Sequence, residues 1–367
     1  MSERGPIRVL LADDSATTRS YLAGLIAAAP GLTVVGEARD GEEAVRLVEA
    51  LHPDVVSMDI RMPRLDGLEA TRQIMASRPT PTVVVSALVE EDVDLSFKAM
   101  EAGALAVLRK PPAHRDPDYS LLQREFITTL KAMAGVTVVR RWPEIPTGIV
   151  SSGENQSPKN ENGSKYNIAS PDTSVSKPEV IAIGASAGGP SALSSLLAGL
   201  PADFMPPVVI VQHMPDEFLP GLARWLGKHT PLRVCMAESG QALQPSTVYL
   251  AAGGAHLTVA RRGRNLIANT VADTSNERYC PSIDVFLASV AEVCGTTGVG
   301  IILTGMGDDG AKGLLGIRKV GGRTFAQSEA SCTVFGMPGV AIANGAVEQT
   351  LTPEQMAEAL RRLTENS

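Results

Sequence analysis

Polar side chains in the C-terminal half of the chain stand where apolar runs give way to turns. Ser186 follows VIAIGA, His213 ends VVIVQH, and Asp308 and Asp309 follow IILTGMG. A serine becomes a nucleophile when a histidine accepts its proton and a carboxylate holds that histidine in the correct tautomer. The set therefore predicts acyl-transfer chemistry at Ser186 with His213 as its base. One aspartate is the expected orienting group, and the other is expected to cap the following helix.

The glycine-rich turn around Ser186 has a competing interpretation as a phosphate cradle. It resembles the dinucleotide fingerprint G-x-G-x-x-G, but the spacing differs, and the fingerprint expects an acidic residue where the next strand ends. That strand ends on Gln212 and His213. Residues 184–188 match G-x-S-x-G, which is typical of a strand-to-helix turn that exposes a serine. We therefore favour the nucleophile. Two other histidines are weaker candidates for the base: His229 has a surface context, and a hairpin role competes with catalysis for His256.

A second set of polar residues follows the apolar runs of the N-terminal half. It comprises Asp13 and Asp14 after the first run, Asp59 after the third, Ser86 at the end of the fourth and Lys110 after the fifth. Three carboxylates at one edge of a sheet would repel one another unless a hard cation such as Mg²⁺ lay among them. A hydroxyl and an ammonium group nearby would suit a phosphoryl group bound to one carboxylate.

Both sets require sheets that bring several strand ends together. Between residues 7 and 130, five apolar runs alternate with segments that are apolar at helical spacing, which predicts a (βα)5 domain with a parallel five-stranded sheet. From Val180 the same rhythm resumes, and we predict a larger, mainly parallel α/β domain with a β-hairpin. The fold class is thus α/β with two doubly wound domains, whose ligands bind at the carboxyl ends of the strands.

Composition sets the domain boundaries and the protein class. The first domain is predicted over 1–130 and the second over 178–367, joined by a flexible linker over 131–177 that is rich in Ser, Asn, Gly and Pro.

The net charge of −7 disfavours nucleic acid as a partner. No apolar run is long enough to span a bilayer, and the N-terminal run is too short for a signal peptide, so we expect a cytoplasmic protein without membrane insertion. We also expect a monomer. The four cysteines lack C-x-x-C spacing and are expected to be buried, reduced thiols.

The motifs ADDS, MDIRMPRLDG, VVVSA and LRKP resemble a response-regulator receiver domain over about the first 125 residues. The resemblance implies that Asp59 accepts a phosphoryl group from a histidine kinase. It further implies that Asp13, Asp14 and Asp59 hold Mg²⁺, while Ser86 and Lys110 contact the phosphate. Many receivers carry an aromatic switch residue three positions before that lysine, where this chain has Val107.

The motifs IGASAGGP, VQHMP, CPSIDVF and ILTGMGDDGA resemble the catalytic domain of the chemotaxis protein-glutamate methylesterases. The resemblance implies a Ser186, His213 and Asp309 triad that needs no cofactor. The backbone N–H of Ala187 is the expected oxyanion donor, and the Met306 amide is a second candidate. Family members often carry Thr where this chain has Ala187. Residues 281–286 are expected near the site, with Ser282 capping a helix.

The implied reaction is hydrolysis of glutamate methyl esters on the cytoplasmic helices of methyl-accepting chemoreceptors, with glutamine deamidation as a further activity. The receiver is expected to cover the catalytic face until Asp59 is phosphorylated. Two rival functions remain open at this point. One is a phosphorylation-switched binding module with an inactive hydrolase domain, and the other is a serine hydrolase acting on small esters.

Overall fold

The structure, a computed structural model, describes residues 5–86, 97–112, 119–136, 138, 177–273 and 279–365. Most of the predicted linker, residues 131–177, therefore lies outside the described residues. None of the described helices is long and apolar enough to cross a membrane. All four cysteines are free. The prediction of buried thiols is confirmed for Cys294 and wrong for Cys280, which is exposed, and the other two are half-buried.

The N-terminal sheet has five strands, all parallel, as predicted. Its strands are β1 (Ile7–Ala12), β2 (Leu32–Ala38), β3 (Val55–Met58), β4 (Thr82–Ser86) and β5 (Ala106–Arg109), and their order in the sheet is β2-β1-β3-β4-β5. Its helices are α1 (Ala16–Ala28), α2 (Gly41–Leu51), α3 (Gly67–Ser77) and α4 (Tyr119–Met133), and residues 97–101 are also helical.

Alternation along β1 explains why this sheet carries helices on both faces. Val9 and Leu11 belong to an apolar cluster that includes Ile26 of α1 and Phe126 of α4. Leu10, the residue between them, belongs to a different cluster, formed with α2 and α3. Successive strand residues point to opposite faces, so a strand that is apolar at every position must be covered on both sides.

The strands of the C-terminal half are β6 (Val180–Ala185), β7 (Val208–Gln212), β8 (Arg233–Met236), β9 (Thr247–Leu250), β10 (His256–Arg262), β11 (Asn265–Val271), β12 (Gly298–Ile302), β13 (Arg323–Gln327) and β14 (Gln349–Leu351). Seven of them form a parallel sheet in the order β14-β13-β12-β6-β7-β9-β8, and β10 pairs with β11 in a separate antiparallel hairpin. The helices are α5 (Gly189–Ala198), α6 (Leu219–His229), α7 (Ile283–Cys294), α8 (Ala311–Lys319), α9 (Met337–Ala343) and α10 (Pro353–Glu365). The predicted parallel sheet and hairpin are both confirmed.

The strand order places three candidate functional residues at one edge of the sheet. Strand β6 pairs with β7 on one side and with β12 on the other. Ser186 follows β6, His213 follows β7, and Asp309 lies in the turn after β12. All three therefore lie at the carboxyl ends of adjacent parallel strands, where open α/β sheets bind their ligands.

The two halves of the chain pack against each other. One buried apolar cluster contains Phe97 and Val107 of the first half together with Trp225 of α6. The rings of Phe97 and Trp225 stack with centroids 5.7 Å apart, and the Trp225 indole N–H donates to the Glu101 carboxylate at 2.6 Å. His229 is exposed, as predicted, and its Nε2 atom lies 3.3 Å from the same carboxylate.

Candidate active site

The turn that carries Ser186 depends on its two flanking glycines. A Cβ atom at Gly184 would lie 2.3 Å from the Ile283 side chain, and one at Gly188 would lie 2.4 Å from the Thr333 side chain. Gly188 also has a φ of +77°, a conformation that favours glycine. The Ser186 N–H donates to the Thr304 carbonyl at 3.0 Å, which joins the turn to the end of β12. The G-x-S-x-G spacing is therefore required by the close packing around the turn.

His213 and Asp309 form a close pair beside this turn. The Nε2 atom of His213 lies 3.0 Å from Oδ2 of Asp309, and both side chains are largely buried. Because Nε2 lies next to the carboxylate, Nδ1 is the nitrogen that we expect to take the serine proton. Nδ1 is buried and makes no hydrogen bond to any residue that the structure describes. The pair thus has the geometry of a general base with its orienting carboxylate.

Asp309 is held by the N-terminus of α7. Its Oδ2 accepts the Ile283 N–H at 2.7 Å, while Oδ1 accepts the Asp284 N–H at 2.8 Å and the Ser282 hydroxyl at 3.0 Å. Burial alone would raise the pKa of Asp309, but the adjacent His213 and the two backbone N–H groups outweigh it and lower the pKa. The carboxylate therefore stays ionised, as stabilisation of a charged imidazole requires.

The prediction that one of the two aspartates caps the following helix is wrong. The N-cap of α8 is Gly310, which has no side chain to form a cap hydrogen bond. Asp308 is exposed, and Asp309 instead meets the N-terminus of the preceding helix, α7. The predicted N-cap of α7 is correct, because the Ser282 hydroxyl accepts the Val285 N–H at 3.4 Å.

The two candidate oxyanion donors lie in segments that pack together. A Cβ atom at Gly305 would lie 2.7 Å from Cβ of Ser186, so the turn containing Met306 lies directly against the serine. The Ala187 carbonyl accepts the Thr304 hydroxyl at 2.9 Å, which holds the peptide between Ala187 and Gly188. Both segments thus border the space in front of Ser186, and the donor roles of Ala187 and Met306 stay predictions.

A further group of potential metal ligands lies beside the start of α7. Atoms of His256, Asp273 and Cys280 all lie within 4.8 Å of one another. However, the Ser282 N–H donates to Nδ1 of His256 at 3.0 Å, so the neutral ring carries its proton on Nε2. That nitrogen faces Asp273 at 3.4 Å and has no lone pair for a metal. This pattern favours a structural role for His256 at the start of the hairpin.

The N-terminal sheet brings the second predicted set together at its carboxyl edge. Carboxylate oxygens of Asp13, Asp14 and Asp59 lie within 4.8 Å of one another, which fits a hard divalent cation such as Mg²⁺. The Lys110 ammonium lies 2.8 Å from Asp13 and 2.7 Å from Asp59. Burial raises the pKa of Asp59 above its ordinary value, and the negative charge of Asp13 raises it further. The nearby Lys110 ammonium lowers the pKa, but not enough to cancel the rise. The buried Ser86 ends β4, and its carbonyl accepts the Lys110 N–H at 2.9 Å.

Comparison with known proteins agrees with this geometry. The family model described as CheB methylesterase matches residues 181–360, and the response regulator receiver domain model matches residues 9–116. A protein-glutamate methylesterase/protein-glutamine glutaminase of Myxococcus xanthus is 46% identical over 357 residues, covering 95% of each chain. This chain belongs to the CheB methylesterase family.

Two further comparisons support the family assignment. A protein-glutamate methylesterase/protein-glutamine glutaminase of Anaeromyxobacter dehalogenans is 42% identical over 96% of this chain and 98% of that protein. The crystal structure of the Thermotoga maritima CheB methylesterase catalytic domain also resembles this chain, with a TM-score of 0.50 and 33% sequence identity. The match covers 51% of this chain and all of that domain.

Tyr279 is a residue of this CheB-family site that the sequence analysis missed. Its ring stacks on the His213 imidazole, with centroids 4.6 Å apart and planes inclined by 8°. Gly307 makes room for it, since a Cβ atom there would lie 2.9 Å from the Tyr279 hydroxyl. The only available signal was that Tyr279 adjoins the CPSIDVF motif, whose Ile283 contacts Asp309 as expected for a segment near the site.

Proposed function

We propose that this chain hydrolyses methyl esters of glutamate side chains on chemoreceptors, with Ser186 as nucleophile, His213 as general base and Asp309 as orienting carboxylate. The observation that carries the proposal is the 3.0 Å contact of His213 with Asp309 beside the Ser186 turn. The names of the 46% and 42% identical relatives supply the substrate class, glutamate esters and glutamine amides of proteins.

In the first half of the reaction, Ser186 Oγ attacks the ester carbonyl carbon while Nδ1 of His213 takes the hydroxyl proton. Asp309 stabilises the resulting imidazolium, and the Ala187 and Met306 N–H groups stabilise the oxyanion. The tetrahedral intermediate collapses, the bond to the methoxy group breaks, and His213 returns the proton to give methanol. A glutamyl-serine ester remains.

In the second half, water replaces methanol. His213 takes a proton from the water as its oxygen attacks the glutamyl-serine carbonyl, and then donates that proton to Ser186 Oγ as the acyl bond breaks. The products are glutamate and the free enzyme. A glutamine side chain follows the same path with ammonia as the leaving group, which accounts for the second activity in the relatives' names.

The first domain is proposed to control this activity by phosphorylation of Asp59. Asp13, Asp14 and Asp59 would hold Mg²⁺, which when bound neutralises charge on the phosphoryl group during transfer. Lys110 then contacts the phosphate from its position 2.7 Å from the Asp59 carboxylate, and the Ser86 hydroxyl completes the site. The phosphoryl donor would be a histidine kinase, and the protein would act in the cytoplasm as a monomer, beside receptors rather than within the membrane.

Contacts between the two halves support an inhibitory role for the unphosphorylated first domain. Ala187, directly after the nucleophile, packs against the apolar cluster that contains Leu108 of β5. Arg109, beside the phosphate-contacting Lys110, lies 3.6 Å from Glu217 in the segment that follows His213. Changes at the phosphorylation site therefore have a short route to both the nucleophile turn and the base.

The test measures methanol release from methylated receptor by the wild type and Ser186→Ala, with and without a small phosphodonor and Mg²⁺. Release that needs Ser186 and rises with the phosphodonor supports both parts of the proposal. Ser195→Ala, an exposed serine on α5, is the matched control and should retain activity. Absence of release while Asp59 still accepts phosphate would overturn the esterase proposal and favour a switched binding module.

A further inference from the structure

Gln212 lies between the nucleophile and the base without touching the reacting atoms. It is the last residue of β7 and only 2% exposed. Its Nε2 atom donates one hydrogen bond to the Ser186 carbonyl and one to the His213 carbonyl, each at 2.8 Å. Both N–H groups of one amide nitrogen are therefore used to join the backbones of the two residues.

We infer that Gln212 is a positioning residue that sets the separation between Ser186 and His213. The inference rests on the proposed function, because it presumes that these residues react together. The two strands pair up to Ala185 and Gln212, and the His213 N–H also donates to the Ala185 carbonyl at 2.9 Å. The Gln212 amide extends this connection by one residue, to the Ser186 carbonyl.

The way in which Gln212 is accommodated argues against a role in packing alone. Its Oε1 atom is buried and makes no hydrogen bond within the described part of the chain. A buried carbonyl without a partner lowers stability, so an apolar side chain would serve better if only volume mattered. Gly189 leaves space for this oxygen, because a Cβ atom there would lie 2.1 Å from it. Glutamine is kept although it leaves one polar atom unsatisfied.

The chemical consequence concerns the rate of acylation. A displacement of about 1 Å between reacting groups can reduce a rate by about 100-fold. Without the Gln212 bridge, the Ser186 turn and the His213 loop can shift relative to each other. The amide is buried and bonded to two backbone carbonyls, so we expect the loss to appear in kcat and KM to stay nearly unchanged.

The primary variant is Gln212→Met, which keeps the length of the side chain and removes both donors. We expect kcat for methanol release to fall about 10- to 100-fold, with KM within about twofold of the wild type. Thr324→Val in β13 is the stability control, because it removes a fully buried hydroxyl that accepts the Glu348 N–H at 3.1 Å, away from the site. It should leave kcat unchanged. An equal loss in both variants would overturn the inference.

A double-mutant cycle separates positioning from general destabilisation. If Gln212 acts by aligning His213 with Ser186, Gln212→Met should cause no further loss once His213→Ala has removed the base. The rate of Ser186 labelling by a fluorophosphonate is the readout, since it needs the serine and its base but no receptor. Additive losses would overturn the inference. Failure of receptor demethylation with normal labelling by the wild type would instead count against the proposed substrate.

Gly189→Ala provides a second route that leaves Gln212 in place. Alanine favours a helix more than glycine does, and this is the first residue of α5. Apart from Gln212, a Cβ atom here would lie 3.0 Å from Cβ of Ala185, a contact that a shift of a few tenths of an ångström relieves. Here it should displace the Gln212 amide and reproduce the loss of labelling rate. Addition of Gln212→Met to Gly189→Ala should then cause little further change. Wild-type labelling by folded Gly189→Ala would contradict the inference.

Discussion

The Nε2 atom of His213 lies 3.0 Å from Oδ2 of Asp309, and the same oxygen accepts the Ile283 N–H at 2.7 Å. The carboxylate that we propose to orient His213 is thus itself held by the N-terminus of α7. Two backbone N–H groups of that helix and the hydroxyl of its N-cap bind one carboxylate, while the carboxylate leaves its remaining acceptor capacity for the imidazole. A substitution that removes the charge of Asp309 but keeps its shape can therefore test the role of the charge by itself.

Asp309→Asn should reduce kcat far more than any change at its exposed neighbour. An asparagine keeps the shape of the side chain but no longer stabilises an imidazolium or holds the correct tautomer. We expect a loss of about 10⁴ in kcat, as is typical when this carboxylate is neutralised in a serine hydrolase triad. Asp308→Asn is the matched control and should stay within about twofold. Equal losses in the two variants would show that Asp309 is not the orienting group.

Asp309 should also contribute to stability in a pH-dependent way. Its hydrogen bonds outweigh burial and lower its pKa below the ordinary value of 3.8. Because the folded pKa lies below the unfolded one, the ionised carboxylate stabilises the fold above pH 3.8, and this contribution is lost as the pH falls through the folded value. Urea unfolding should show Asp309→Asn less stable than wild type at neutral pH, with the difference shrinking in acid. A difference independent of pH would contradict this assignment.

The strand ends were predictable from the sequence because parallel α/β sheets place their carboxyl ends together. This rule alone predicted that Ser186, His213 and the residue pair after β12 would meet. It also predicted the cluster of Asp13, Asp14 and Asp59. The choice of Asp309 over Asp308 depended on the family resemblance, since adjacent residues after one strand have the same local signal.

The remaining features depend on contacts between segments that are distant in the sequence. No local pattern shows that α7 would supply the donors for Asp309, or that Tyr279 would stack on His213. Gln212 was visible as the end of a strand, but its two acceptors became apparent only in three dimensions. The contact of Phe97 with Trp225 likewise joins two domains whose relative placement no periodicity encodes.

Tyr279 should contribute to catalysis through its ring. The stack on His213 restricts the imidazole plane, and aromatic pairs of this kind contribute about 0.5–1.5 kcal/mol. Tyr279→Ala should therefore reduce kcat by about 3- to 10-fold, whereas Tyr279→Phe, which keeps the ring, should stay within about twofold. Methanol release at saturating receptor is the measurement. A loss in Tyr279→Phe as large as in Tyr279→Ala would assign the effect to the hydroxyl instead.

Asp59→Asn should stabilise the unphosphorylated protein while abolishing phosphorylation. Burial raises the pKa of Asp59 above its ordinary value of 3.8, Lys110 only partly compensates, and the Asp13 charge adds to the rise. A raised folded pKa means that the ionised form destabilises the fold at neutral pH and that the penalty disappears below pH 3.8. Urea unfolding should show a gain for Asp59→Asn at pH 7 that vanishes in acid. Glu42→Gln, at an exposed position, serves as the control. A loss of stability in Asp59→Asn at neutral pH would show that the ion pair with Lys110 outweighs the cost of burying the Asp59 charge.

Glu101→Ala should raise the activity of the unphosphorylated protein. Its carboxylate accepts the Trp225 indole N–H at 2.6 Å and lies 3.3 Å from His229, so it joins the first domain to α6 without belonging to either core. A hydrogen bond to a charged group contributes about 1.5–3 kcal/mol. If about 1 kcal/mol of this stabilises the inhibited arrangement, its loss raises the fraction of molecules with the two domains apart roughly fivefold. Methanol release without phosphodonor should rise by about that factor, while activity with phosphodonor stays the same. Arg46→Ala on the exposed side of α2 is the control. Glu101 is not one of the proposed catalytic residues, so its substitution should not damage the active site directly. Unchanged basal activity in Glu101→Ala would therefore mean that this contact does not hold the inhibited arrangement.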